Sequence, residues 1–113
     1  MIEKNIKKYL IDQNAKTIQS LRRINKLGGK SLIVVSNKRI LKGILSSADL
    51  RKAILNHSIT NEKINKIYNK KPRFIFFDEV QEKIKKISLN LKKFSIIPVV
   101  DRKTKRIINV LDY

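Results

Sequence analysis

Apolar residues near the start of the chain recur every three or four positions, which is the spacing of an amphipathic helix. The segment IEKNIKKYLI therefore predicts a short first helix that packs on the main body. Thr17 is predicted to cap a second helix, which Gly28 and Gly29 end. The apolar faces of these two helices are predicted to consist of Ile2, Ile6, Tyr9 and Leu10, and of Ile18, Leu21, Ile24 and Leu27.

The pattern then changes to short continuous apolar runs with β-branched residues, which are typical of strands. SLIVVS and RILKGILS predict two strands joined by a tight turn, and SADLRKAIL returns to helical spacing. A polar linker follows, in which a short helical turn is predicted from Glu62 to Tyr68 and Pro72 marks the end.

The second half of the chain repeats this order. RFIFF predicts a short strand, DEVQEKIKKISLNL a helix capped by Asp78 and Glu79, and SIIPVV with KRIINVL a second hairpin. The pair Val34-Val35 returns 65 residues later as Val99-Val100, which indicates an internal duplication. Each copy is too small to enclose a core alone, so we expect an α+β fold in which two small β-sheets with flanking helices stack with pseudo-two-fold symmetry.

The segment GILSSADLR concentrates polar groups where the first hairpin ends and a helix begins. Free backbone N–H groups at a helix N-terminus favour an anion such as a phosphate, and Ser46 and Ser47 would add hydroxyl donors. Asp49 would accept hydrogen bonds from both hydroxyls of a ribose, and Arg51 would add a positive charge. Gly43 would allow a neighbouring segment or a ligand to approach closely.

The same residues also fit a capping box. Ser46 at the cap and Asp49 three residues later can each accept a hydrogen bond from the other's backbone N–H. Such a cap is worth about 1 kcal/mol of helix stability and needs no ligand. From the residues alone both interpretations stay open, because one side chain can cap a helix and also contact a ribose.

The net charge of +18 over 113 residues is the composition typical of a protein that binds nucleic acid. However, the chain contains 20 Lys, 19 Ile and 10 Asn, a bias that A/T-rich codons produce by themselves. The basic residues are also spread along the chain with apolar residues between them. A solvated basic surface is therefore the simpler interpretation, and nucleic acid is not the expected partner.

Several classes of function are excluded by what the sequence lacks. It has no cysteine and a single histidine, His57 in the predicted linker, so neither disulfides nor a Cys/His metal site is expected. No catalytic set of serine, histidine and acid can be assembled, so we expect no enzyme and no obligatory cofactor. The apolar runs fall far short of the ~20 residues that cross a bilayer, and no secretory signal is recognisable, so a cytoplasmic location is expected.

Taken together, SLIVV, GILSSADLRKAIL, the linker ending in NKKP, and SIIPVVD resemble a tandem pair of cystathionine-β-synthase (CBS) domains, also called a Bateman module. The resemblance covers nearly the whole chain. The stretch from ADLRKAIL to NKKP is most similar to CBS pairs that precede a sugar-phosphate nucleotidyltransferase domain. We expect residues 1–60 to form an N-terminal helix and the first CBS repeat, and residues 61–113 to form a second repeat truncated at its C-terminal end.

The resemblance implies a regulatory, homodimeric module that binds AMP, ADP, ATP or S-adenosylmethionine and controls an attached or partner nucleotidyltransferase. Within the motif, Ser46 and Asp49 match the family pattern best, and the base is expected among apolar groups such as Ile18, Leu32 and Ile33. The expected nucleotide-binding residues are Thr17, Lys30, Ser31, Leu32, Gly43, Ser46, Ser47, Asp49 and Arg51.

The second copy departs from this pattern. Asn109 stands at the glycine position and Asp112 at the hydroxyl position, and the sequence stops at Tyr113 before any equivalent of Asp49. Since Asp112 would repel a phosphate, we expect at most one nucleotide per chain. Two alternative functions remain: a ligand-free dimerisation module, and a basic nucleic-acid-binding protein.

Overall fold

The computed structural model describes residues 5–57, 62–83 and 96–112, and these form two three-stranded β-sheets with helices packed on them. The strands are β1 (Leu10–Asp12), β2 (Leu32–Val35), β3 (Leu41–Leu45), β4 (Ile75–Phe76), β5 (Ile96–Val100) and β6 (Ile107–Asp112). The helices are α1 (Thr17–Lys26), α2 (Ser47–His57) and α3, of which residues 80–83 are described. Short 3₁₀ turns span Lys7–Tyr9, Ile64–Lys66 and Phe77–Glu79.

Both sheets have the same strand order and strand directions. β2 lies in the centre of its sheet, parallel to β1 and antiparallel to β3, and β5 has the same relation to β4 and β6. Each hairpin carries a bulge at the same place, after Val34 and after Val99. Each hairpin turn also holds a cationic residue at φ 61°, Arg39 in the first and Lys105 in the second. The predicted α+β fold of two duplicated units is therefore confirmed.

The register of the two hairpins identifies equivalent residues in the repeats. Val34 pairs with Gly43 in the first sheet, and Val99 pairs with Asn109 in the second. Asn109 is therefore the counterpart of Gly43, as the sequence predicted.

The two hairpin turns are hydrogen-bonded to each other. The N–H of Leu41 donates to the carbonyl of Lys105 at 3.0 Å, and the N–H of Ile107 donates to the carbonyl of Arg39 at 2.9 Å. Because these bonds join backbone to backbone, the hydrogen-bond ladder passes directly from one repeat to the other.

The central strands β2 and β5 are buried along their whole length. One face of each sheet meets the other sheet, and the opposite face carries a core of its own repeat. The core shared by both sheets consists of Tyr9, Leu10, Ile33, Val35, Ile96, Val100, Ile107 and Val110. Two units that are each too small for a complete core therefore stack around a common interior, as predicted.

The N-terminal segment is not the amphipathic helix that its spacing predicted. Lys7–Tyr9 form a 3₁₀ turn, and Leu10 and Ile11 belong to β1. Side chains alternate between the faces of a strand, so Leu10 enters the shared core while Ile11 enters the core of the first repeat. Both residues are buried, with exposures of 8% and 5%, and they lie in two different cores on opposite faces of the strand.

The predicted apolar face of helix α1 is buried only in part. Ile24 is buried and Leu27 packs against the core as predicted, but Leu21 is 39% exposed, and Thr17 and Ser20 are buried instead. The end of the helix agrees with the prediction, because Gly28 and Gly29 follow it at φ 70° and 88°, values that favour glycine. The helical turn predicted in the linker is also present, at Ile64–Lys66.

The acidic pair before α3 is used in another way than capping. Asp78 accepts two hydrogen bonds of 2.8 Å from the guanidinium of Arg102, and these bonds lower the pKa of the Asp78 carboxyl. No side chain caps the 3₁₀ turn that precedes α3. The remainder of the predicted helix, with Ile84, Ile87 and Leu91, lies outside the described residues. His57 is the last residue of α2 rather than part of the linker.

Candidate functional site

The polar motif between β3 and α2 forms the predicted capping box. The N–H of Ser46 donates to Oδ2 of Asp49 at 3.0 Å, and the N–H of Asp49 donates to Oγ of Ser46 at 3.1 Å. Ser46, Ser47 and Asp49 are each half-buried. Only Oδ2 of Asp49 is engaged in this box, so its carboxylate keeps acceptor capacity at the positive end of α2.

Gly43 serves the close approach of the linker to β3. Ile44 and Asn69 exchange both backbone hydrogen bonds, at 3.0 and 2.8 Å, so that the linker runs along the edge of the sheet. A Cβ atom at Gly43 would collide with the carbonyl oxygen of Asn69 and with the ring of Tyr68. Of the two neighbours that the sequence allowed for Gly43, the structure therefore shows a protein segment.

Thr17 is held by the linker as well. Its backbone N–H and its hydroxyl both donate to the carbonyl of Glu62, at 2.8 and 3.0 Å, and the side chain is 2% exposed. Thr17 is the first residue of α1 rather than its cap, and that position belongs to Lys16. The hydroxyl proton expected to serve a ligand is thus already donated within the protein.

Lys30 forms an ion pair with the second repeat. Its Nζ atom lies 2.7 and 2.8 Å from the two carboxylate oxygens of Asp112, and the hydroxyl of Tyr9 donates to the same carboxylate. Burial alone would raise the pKa of Asp112, but the hydrogen bonds from Lys30 and Tyr9 outweigh it and lower that pKa. Asp112 is consequently an ionised carboxylate whose charge is balanced by Lys30, and the pair bridges the two repeats.

The other predicted residues differ in how accessible they are. Leu32 and Ile33 are completely buried, so their side chains cannot line an open site for a base. Ser31 is half-buried and, because Leu32 pairs with Leu45, it lies beside Ser46 at the same edge of the sheet. Arg51 is exposed on α2. The structure therefore places Ser31 beside Ser46 of the motif. The side chain of Leu32 is buried and cannot contribute to an open site.

A cavity of about 490 Å³ opens beside Asp49, between α2 and the linker. Lys52 of α2 and Lys63 and Lys66 of the linker line it together with Glu62, so ammonium groups outnumber carboxylates there. Sequence reasoning missed the two linker lysines, since nothing local places them near Asp49. The contact between Thr17 and Glu62 brings the linker to that position.

Two further observations concern the described part of the chain only. No cluster of three or more His, Asp or Glu side chains that could hold a metal ion is found among those residues. None of the helices described there is long and apolar enough to span a membrane.

Comparison of the sequence with protein-family models and with curated proteins finds no match. Solved structures do match. A CBS domain protein from Streptococcus pneumoniae TIGR4 superposes with a TM-score of 0.75 at 14% identity, over 99% of this chain and 72% of that chain. The CBS domain pair of protein MJ0100, in complex with 5-methylthioadenosine and S-adenosyl-L-methionine, has a TM-score of 0.63 at 22% identity, over 91% of this chain and 79% of that chain.

The cytosolic domain of the Mg²⁺ channel MgtE, in complex with ATP, has a TM-score of 0.64 at 22% identity, over 93% of this chain and 42% of that chain. At these identities the likeness establishes the fold. The chain has the architecture of a CBS domain pair.

Proposed function

We propose that this chain is a regulatory module that binds one adenosine nucleotide, with the Ser46 to Asp49 motif as the centre of the site. The observation that carries the proposal is the position of Asp49. Its half-buried carboxylate lies at the start of α2, keeps acceptor capacity beyond the capping box, and borders an open cavity. Structures with the same fold contain ATP or S-adenosyl-L-methionine, which supports an adenosine ligand.

The chemistry of the motif suits a nucleotide. A carboxylate with free lone pairs can accept hydrogen bonds from both hydroxyls of a ribose. The hydroxyls of Ser46 and Ser47 and the N-terminus of α2 favour a phosphate, since unpaired N–H groups and the helix dipole both attract an anion. AMP, ADP, ATP and S-adenosylmethionine all carry the ribose that Asp49 would hold.

The proposed stoichiometry is one nucleotide per chain. The residue of the second repeat that corresponds to Ser46 is Asp112, and its carboxylate already has Lys30 and Tyr9 as partners. A phosphate at that position would have to displace a satisfied carboxylate. The first repeat carries the hydroxyl motif that the second lacks.

The biological role we propose is control of an attached or partner nucleotidyltransferase in the cytoplasm, by a homodimer of modules with repeats at residues 1–60 and 61–113. The sequence resemblance to CBS pairs that precede such enzymes supports the partner. The open cavity beside Asp49 suits a ligand that comes and goes rather than an obligatory cofactor.

Isothermal titration calorimetry with AMP, ADP, ATP and S-adenosylmethionine tests the proposal on the wild type and on Asp49→Asn. The asparagine keeps an oxygen for the N–H of Ser46, so the cap survives, but it loses the charge that strengthens hydrogen bonds from a ribose. We expect the affinity to fall by about tenfold with little change in melting temperature.

Asp12→Asn is the matched control, because it removes the same charge from an exposed carboxylate at the opposite edge of the sheet. Absence of binding by all four ligands would disprove nucleotide sensing. Equal binding by wild type and Asp49→Asn would remove Asp49 from the site while leaving the function standing.

A ligand-free dimerisation module is the second candidate, and exposed apolar side chains on the helices favour it. Leu21 of α1 and Ile54 of α2 are each 39% exposed, and Leu55 of α2 is 78% exposed. Melting curves separate the two candidates, because a ligand at 100 times its Kd adds about 2.7 kcal/mol to the free energy of unfolding. A dimer in light scattering whose melting temperature no nucleotide raises would favour this second function.

A further inference from the structure

One wall of the cavity beside Asp49 is a single face of α2. Asp49, Lys52, Ala53 and Asn56 line the cavity, and side chains at this spacing share one side of a helix. Ala53 is 6% exposed, whereas Lys52 and Asn56 are exposed. This face therefore presents a carboxylate, an ammonium group and an amide above a small apolar floor.

The opposite wall belongs to the linker, and the segment before α1 holds that wall in place. Lys63, which immediately precedes the second 3₁₀ turn, and Lys66, which ends it, both line the cavity. Ile64 between them is completely buried, and its N–H donates to the carbonyl of Ala15 at 2.9 Å. The backbone that carries the two lysines is therefore fixed in the absence of a ligand, which lowers the cost of ordering a site.

The three lysines of the cavity have no anionic partner among the residues that the structure describes. Lys52, Lys63 and Lys66 are all exposed, and none of them takes part in an ion pair found there. The carboxylates that line the cavity are those of Asp49 and Glu62, so the cations are in excess. Unpaired like charges around one cavity create a local potential that attracts an anion.

We propose that these three lysines bind the phosphates of the ligand beyond the first, so that the site takes ATP or ADP in preference to AMP and rejects S-adenosylmethionine. This inference rests on the proposed nucleotide site. Ser46, Ser47 and the N-terminus of α2 can serve a single phosphate without any side-chain cation. Additional phosphates bring the charge that the lysines attract, whereas S-adenosylmethionine carries a sulfonium cation and no phosphate.

Calorimetry of the wild type and of the double variant Lys63→Gln/Lys66→Gln with ATP, AMP, adenosine and S-adenosylmethionine tests the proposal. Both side chains are exposed, so the variant should keep the melting temperature of the wild type without ligand. We expect its affinity for ATP to fall by about five- to tenfold, the effect of losing two exposed charge contacts, with a smaller loss for AMP and none for adenosine. Added salt should weaken ATP binding more in the wild type than in the variant, because salt screens charge contacts.

Lys42→Gln/Lys71→Gln is the matched control, because it removes the same charge from two exposed lysines that do not line the cavity. If the control lowers the affinity for ATP as much as the linker variant does, net charge alone is responsible and the proposal is wrong. An unchanged affinity of the linker variant for ATP also overturns it, as does tighter binding of S-adenosylmethionine than of ATP by the wild type. In both cases the proposed function stands, whereas a wild type that binds none of these ligands refutes the proposed function itself.

Discussion

At the scale of single residues, Asp112 shows how one carboxylate can be kept charged inside a contact between repeats. Burial raises its pKa, and the hydrogen bonds from Lys30 and Tyr9 outweigh burial and leave the pKa below its usual value. A carboxyl group whose folded pKa is lowered adds stability above its unfolded pKa, and that stability is lost as the pH falls through the folded pKa.

We therefore expect the wild type to lose free energy of unfolding relative to Asp112→Asn as the pH falls below about 4, the usual pKa of aspartate. Above that pH the difference between the two proteins should be constant. Urea denaturation at a series of pH values measures it. A difference that does not change with pH in the acid range would contradict the role assigned to the ion pair.

At the scale of secondary-structure elements, the contacts of the linker explain why Gly43 and Thr17 stand where they do in the sequence. Its backbone pairs with Ile44 through Asn69, and its Glu62 accepts both donors of Thr17. Gly43 is required where the linker runs along β3, since any Cβ atom there would meet backbone as well as the ring of Tyr68.

Gly43→Ala should consequently destabilise the protein by about 1–3 kcal/mol, the usual effect of forcing extra atoms into a packed contact. Asn109→Ala is the matched control, because the equivalent position of the second repeat already carries a Cβ atom. Chemical denaturation of both variants checks the prediction. Equal stability of Gly43→Ala and the wild type would show that the linker can move away at little cost.

The hairpins, the duplication and the capping box were predictable from the sequence because each depends on local patterns. Continuous apolar runs define β2 and β5, and the spacing of Ser46 and Asp49 defines the cap. β1 was not predictable, since three residues are too few to show an alternation against a helical spacing.

Contacts between distant segments were outside the reach of any local pattern. Lys30 and Asp112 are 82 positions apart, and a charged residue at either position gives no indication of its partner. Thr17 was assigned to a ligand by the family resemblance, but its hydroxyl donates to the carbonyl of Glu62. The sequence thus predicted the capping motif of Ser46 and Asp49, which is local. It did not predict the contacts of Thr17 and Lys30, which depend on the fold.

At the scale of the whole molecule, the fold gathers basic residues that are scattered in the sequence. The two hairpin turns lie side by side and carry Lys38 and Arg39 in one and Lys103, Lys105 and Arg106 in the other. The carboxylate of Asp101 in these turns accepts hydrogen bonds from Lys103 N–H and from the N–H and hydroxyl of Thr104. These turns therefore form a concentrated basic surface.

We expect this surface to dominate any non-specific binding of polyanions. The double variant Lys38→Gln/Lys103→Gln should elute from a heparin column at lower salt than the wild type. Each lost contact with a heparin anion weakens binding and makes the slope of log K against log salt shallower by about one. Lys52→Gln with Lys66→Gln removes the same charge elsewhere and should change elution less. Identical elution of the two double variants would mean that net charge alone sets the affinity.

The backbone bonds between Leu41 and Lys105 and between Ile107 and Arg39 have a consequence for how the sequence can change in length. Turns at the tips of hairpins ordinarily accept insertions, since their backbone faces solvent. Here the backbone of each turn is hydrogen-bonded to the other turn. One added residue in either would therefore shift the register of the hydrogen bonds that join the two repeats. We therefore expect a one-residue insertion to cost more stability in either of these turns than in the other connections of the chain.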